Sequence, residues 1–168
     1  MKKLFITFLT AVSFLSVTAV KAQEWVKQDI DEKVSVKFPQ APTQTGPVWE
    51  YTTIDSSSSY TANGFDLSQF GLDSSTIASQ APTQMFLDQF KGGLAQQMPN
   101  VEISKADVTT WNNFPAYNIE GELKDKNQLI FINCVFIGTT CYSFSCAMKK
   151  DLPAANKETF FSSVELTK

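Results

Sequence analysis

Three cysteines fall within fifteen residues, INCVFIGTTCYSFSC, at Cys134, Cys141 and Cys146. That spacing admits four chemistries: a metal site, a redox dithiol, a structural disulfide, or buried packing. A turn at Gly138-Thr139 suits a type II′ hairpin, because glycine takes the first central position. It sets Ile137 opposite Thr140, Phe136 opposite Cys141, Cys134 opposite Ser143 and Phe131 opposite Cys146. Tyr142, Phe144, Cys146 and Met148 then share one face, and Cys141, Ser143 and Ser145 share the other. Three thiolates cannot converge on a metal across two faces. A catalytic dithiol usually has CxxC at a helix start, where the thiolate is stabilised, and neither condition holds here. Cys134 and Cys141 are diagonal neighbours on one face, roughly 7–8 Å apart, which is beyond ordinary disulfide reach. A two-residue slip of register would set them face to face. Packing of reduced thiols is the reading the spacing favours, and a Cys134–Cys141 bridge is the alternative.

A second pair is Glu120 and Glu122, at i and i+2 of one strand, so both carboxylates leave from one face. They could act as acid and base or as hard oxygen ligands. A solvated face opposite Tyr117, Ile119 and Leu123 is the reading the pattern favours. The aromatics Trp25, Trp49, Tyr51, Tyr60, Trp111 and Tyr117 could stack on a sugar or another flat ligand. In a domain of this size such side chains serve more often as core.

Composition removes much of the rest. The chain has no histidine, and all 14 of its basic residues are lysine. Histidine-dependent nucleophiles and histidine zinc sites are excluded. So is the bidentate guanidinium recognition of phosphate or carboxylate. No GxSxG, SxxK, CxxC, phosphate loop or EF-hand pattern occurs. No cofactor and no metal is expected.

The elements that must position these residues begin after an address. Lys2 and Lys3 precede a chargeless apolar stretch, and Val20-Lys21-Ala22 supplies a cleavage signal. Residues 1–22 therefore read as a secretory signal peptide, cut between Ala22 and Gln23. Residues 23–168 read as one domain, periplasmic or secreted, without a membrane span. Cleavage takes Lys2, Lys3 and Lys21 from the 14 lysines, leaving 11 against 17 acids, a net of −6. Such a surface repels nucleic acid.

From Trp25 the sequence reads as short strands. Val34, Val36 and Phe38 alternate with polar residues, Pro42 and Pro47 bracket a loop, and a strand resumes over 48–54. Asp55 to Ser59 is a turn or bulge, and Asn63-Gly64 predicts a hairpin turn. Residues 73–80 read as a polar loop. Phe86, Phe90 and Leu94 fall at i, i+4 and i+8 and predict the main helix over 83–98, with Pro82 in its first turn. Gly92-Gly93 inside it costs about 1 kcal/mol per glycine relative to alanine; close packing on a sheet is the favoured explanation of the pair, and a hinge is the alternative. Four strands follow, over 101–111, 116–124, 127–137 and 140–149, then a short helix over 153–161 and a last strand piece over 164–166.

This order, with a strand ending Val34-Ser35-Val36-Lys37-Phe38-Pro39 and a terminal Phe160-Phe161-Ser162-Ser163 closing a short helix, resembles the PsbP-like superfamily. That group includes the Mog-type Ran-binding proteins and small bacterial envelope proteins. The resemblance implies an α+β fold, an α/β/α sandwich with a central, mostly antiparallel sheet. It also implies binding of a protein partner, not catalysis. The leading expectation is a non-enzymatic envelope domain that binds a protein. The alternatives are a small-molecule or glycan carrier using the aromatics, and an enzyme relying on Glu120 and Glu122 or on a reactive Cys134.

Overall fold

The computed structural model describes residues 24–167, so the expected leader and the Ala22–Gln23 cleavage point lie outside the described residues. Ten strands and three helices follow in order: β1 (Val26–Asp29), β2 (Val34–Phe38), β3 (Thr43–Thr45), β4 (Val48–Thr52), β5 (Ser58–Asp66), α1 (Ser74–Gln80), α2 (Gln84–Gln97), β6 (Val101–Trp111), β7 (Phe114–Leu123), β8 (Gln128–Ile137), β9 (Thr140–Lys149), α3 (Ala155–Ser162) and β10 (Glu165–Leu166). Seven strands form one sheet in the order β3-β4-β5-β9-β8-β7-β6, and a small second sheet runs β1-β2-β10. Every pairing is antiparallel. The fold is α+β, as the resemblance implies.

Alternation gives the large sheet two apolar faces. On one face Tyr60, Ala62, Val135, Tyr142, Phe144 and Cys146 meet Val34, Val36 and Phe38 of the small sheet and Phe160 of α3. Phe160 is the knot of that layer, with ring centroids 5.5 Å from Phe38 and 5.2 Å from Tyr60. The outer layer on this side is thus a small sheet with one helix. On the other face α1 and α2 cover Tyr117, Ile119, Ile130, Ile132, Cys134 and Phe136.

Chain path explains the helical cover. The segment from Leu67 to Gln97 must carry the chain from β5 across the sheet to β6 at the far edge. From there β6 to β9 return as a meander with tight turns. Asn112 and Asn113 both take positive φ in one of these turns, and Gly138 (φ 63) sits in the last. The β8–β9 register is the expected one at every position named above.

Helix α2 forms as the 3.6-residue pattern predicts. Thr83 is its N-cap, its Oγ1 accepting from the Phe86 N–H at 3.2 Å, and Pro82 stands one residue before that cap. Four local expectations fail. Asn63-Gly64 is not a turn: it lies inside β5, where a Cβ on Gly64 would come within 3.1 Å of the Tyr142 ring. The chain reverses earlier, at Thr53 to Ser58, with Ser56 at φ 54 and Asp55 accepting from the Ser57 N–H. Residues 74–80 are helix α1 instead of loop, capped by Asp73, which accepts from the Thr76 N–H at 2.7 Å. The loop between Pro42 and Pro47 contains β3, turned into β4 at Gly46 (φ 60). Finally, Gly92 and Gly93 do not pack on the sheet, because a Cβ at either would meet nothing within 4 Å.

Candidate functional site

Helix α2 is anchored over β6, β7 and β8, and it leaves β5 and β9 uncovered on the same face. Phe90 packs edge-on to Tyr117 at 5.5 Å and to Phe136 at 6.0 Å, with Leu87 fully buried beneath the helix. Where the cover stops, a groove of about 630 Å³ opens between α2 and the sheet. Its size lies within the roughly 300–1,000 Å³ of small-molecule sites.

The two sides of this groove differ in chemistry. The α2 wall and the β8 floor are mostly apolar, with Phe90, Leu94, Met98, Ile130 and Ile132, and Gln97 is the polar residue of that wall. The floor from β5 and β9 is polar: Ser59, Thr61 and Asn63 from one strand, Ser143 and Ser145 from the other. Thr61 faces Ser145 and Asn63 faces Ser143 across the ladder. The Thr61 and Ser145 hydroxyls are hydrogen-bonded at 2.5 Å. The Asn63 Oδ1 is buried and has no hydrogen-bond partner among the described residues. Phe65 and Phe70 form the open rim, and Phe70 is 74 % exposed. Among the described residues no aspartate, glutamate or lysine lines the groove. Gly93 forms part of its mouth, which gives the glycine a place without any close packing.

The cysteines take the faces that the hairpin predicts. Cys146 lies in the aromatic core, and Cys134 and Cys141 lie on the α2 side. All three are free and buried, Cys134 and Cys141 on the diagonal of an unslipped register. Burial pushes the Cys146 thiol up to about 12. Burial, reinforced by the neighbouring Cys134 thiol, pushes Cys141 well above the ordinary thiol range. A thiol held in its protonated form is a poor nucleophile. Cys134 also lines the groove, although it is 1 % exposed.

Glu120 and Glu122 lie away from the groove, on the opposite face of β7. Lys105 stands 4.0 Å from Glu120, and Lys150 pairs with Glu122. Among the described residues no group of three or more cysteines, aspartates and glutamates is placed to hold a metal. Of the six aromatics considered for ligand stacking, Tyr60 and Tyr117 are fully buried. Trp25, Trp49, Tyr51 and Trp111 pack against the core on the small-sheet side. The groove aromatics are instead Phe65, Phe70 and Phe90. Sequence reasoning missed the site, although the polar face of β9 at Ser143 and Ser145 was visible; its counterpart on β5 was hidden by the hairpin reading of Asn63-Gly64.

The fold is similar to that of a cyanobacterial PsbP. The solution structure of cyanobacterial PsbP (CyanoP) from Synechocystis sp. PCC 6803 is similar over 90% of this chain and 97% of that one, with a TM-score of 0.54 and 9% sequence identity. A protein of unknown function from Pseudomonas aeruginosa, PA94, described as a putative regulator, covers 80% of this chain and 86% of its own, with a TM-score of 0.44 and 11% identity. No protein-family model and no curated protein matches the chain in sequence. No helix among the described residues is long and apolar enough to cross a membrane.

Proposed function

We propose that this chain works by binding, not catalysis, and that the α2 groove holds a small organic molecule. The observation that carries the proposal is the groove itself: an open cleft of about 630 Å³ with a largely apolar wall and an uncharged polar floor. Small-molecule sites combine these features, a largely apolar lining with a few placed polar groups. The proposal assigns no catalytic residue, no cofactor and no metal. Glu120 and Glu122 are occupied by lysines on an exposed face, and Cys134 has no histidine in the chain to activate it.

The place of action proposed is the periplasm or the extracellular space. The basic Lys2-Lys3 start, the apolar stretch and Val20-Lys21-Ala22 support that. Nucleic acid is not proposed as a partner, because the acidic charge opposes it. Membership of the wider superfamily that includes the Mog-type proteins belongs to the same proposal and rests on the strand and helix order.

An envelope protein partner is the second reading. The exposed Phe70 beside Phe65 favours it, since an apolar rim can seat a partner side chain. A thermal-shift screen against small amphiphiles separates the two. A bound ligand raises the unfolding temperature by mass action, and Gly93→Trp, which fills the groove mouth, abolishes the rise. A flat screen, or a rise that Gly93→Trp leaves unchanged, contradicts the small-molecule reading.

A further inference from the structure

The polar floor constrains what the groove accepts, on the premise that the groove is the binding site. Thr61, Asn63, Ser143 and Ser145 form two adjacent cross-strand pairs. Strand geometry spreads that quartet over an area of about 7 by 5 Å, from the residue rise and the strand spacing. Within the Thr61–Ser145 pair one hydroxyl proton is spent on the other oxygen. The second hydroxyl proton and the remaining lone pairs are left for a ligand. Asn63 adds an amide whose buried Oδ1 has no donor among the described residues and so offers the groove an acceptor. The quartet is therefore a neutral platform rich in both donors and acceptors.

Charge is excluded by the same surroundings. A carboxylate or ammonium placed on this floor would lose hydration, with no opposite charge among the lining residues to replace it. A hydroxylated head loses water and regains hydrogen bonds from the quartet. Beside the platform, Phe90, Leu94 and Met98 of the wall and Ile130 of the floor offer apolar contact, with the Gln97 amide the polar group on the α2 side.

We infer that the groove takes an uncharged amphiphile with a polyhydroxyl head. The head sits on Thr61, Asn63, Ser143 and Ser145, and the apolar tail lies between Leu94 and Ile130.

Three probes test this on the whole chain: n-octyl β-D-glucoside below its micelle-forming concentration, glucose, and octanoate. Affinities are read by calorimetry and by chemical shifts of the groove residues. The inference expects the glucoside to bind at least about tenfold more tightly than either other probe, the loss of one component of a two-part contact. Ser143→Val with Ser145→Val, a strand-compatible pair of changes, weakens the glucoside by about tenfold and leaves octanoate unchanged, because only the head has lost its partners. Octanoate binding as tightly as the glucoside, or a double variant with unaltered glucoside affinity, overturns the polyhydroxyl head while the groove reading stands. Glucose binding as tightly as the glucoside overturns the apolar tail. If none of the three probes binds and no groove resonance moves, both the inference and the groove reading fall.

Discussion

The Tyr117 hydroxyl donates a 2.7 Å hydrogen bond to the Ala81 carbonyl. Both residues are fully buried, and 36 residues of chain separate them. Tyr117 belongs to the sheet and Ala81 caps α1 just before α2 begins, so this bond fixes the helical layer against β7. Tyr117→Phe keeps the ring but leaves the Ala81 carbonyl without its donor. The expected loss is about 1–3 kcal/mol, the cost of an unsatisfied buried acceptor. Denaturant unfolding measures it, and an unchanged midpoint contradicts it.

On the opposite face Phe160 joins α3 to the small sheet and to Tyr60. Phe160→Ala removes a fully buried ring from contact with Phe38, Tyr60 and Phe161. The expected destabilisation is about 3–5 kcal/mol, the range for such cavities. Amide exchange is expected to accelerate first in β1, β2 and β10, the strands that Phe160 pins.

The glycine pair in α2 separates stability from binding. Gly92→Ala and Gly93→Leu each meet open space. Each is expected to stabilise the helix by about 0.5–1 kcal/mol, because glycine is the poorer helix former. Only Gly93 lines the groove. Gly93→Leu is therefore expected to raise the unfolding temperature while weakening ligand uptake, and Gly92→Ala to raise it with uptake intact. Thermal melts with and without octyl glucoside check both signs.

Alkali tests the buried thiols and phenols together. Burial raises Cys141, Cys146, Tyr60, Tyr117 and Tyr142, with Cys146 and Tyr60 each reaching about 12. These groups keep their protons in the folded chain at pH values where the unfolded chain has released them. Their contribution to stability is full below about pH 9 and declines as pH rises towards 12. A stability curve flat across that window contradicts it. Alkylation without reductant gives a parallel check: no cysteine is expected to react in the folded chain at neutral pH, and three once it is unfolded. A single added group after unfolding would mean a bridge.

The regular parts of this fold are legible because their periods are strong. The alternation in 128–149 sets the β8–β9 register and assigns each cysteine to its face. The Phe86, Phe90, Leu94 spacing identifies α2. What fails is local chemistry outvoted by distant packing. Asn63-Gly64 is a turn signal in isolation, but in the fold Tyr142 lies across Gly64 and keeps the strand straight through it. Helix α1 has Ile77 as its only buried residue, so it has no stripe to read and is held by its Asp73 cap and by contact with the sheet. The groove floor joins Thr61 to Ser145, which lie 84 residues apart. Only the strand order β5-β9-β8 brings them together, and no spacing in the sequence announces that order.

The most direct test of the groove is a native mass spectrum of the full-length chain expressed in and purified from its own host, beside Gly93→Trp prepared identically. A bound small molecule is expected on the unaltered chain, released on unfolding and missing from the variant. An unaltered chain that carries no adduct, or an adduct equally present on Gly93→Trp, contradicts it.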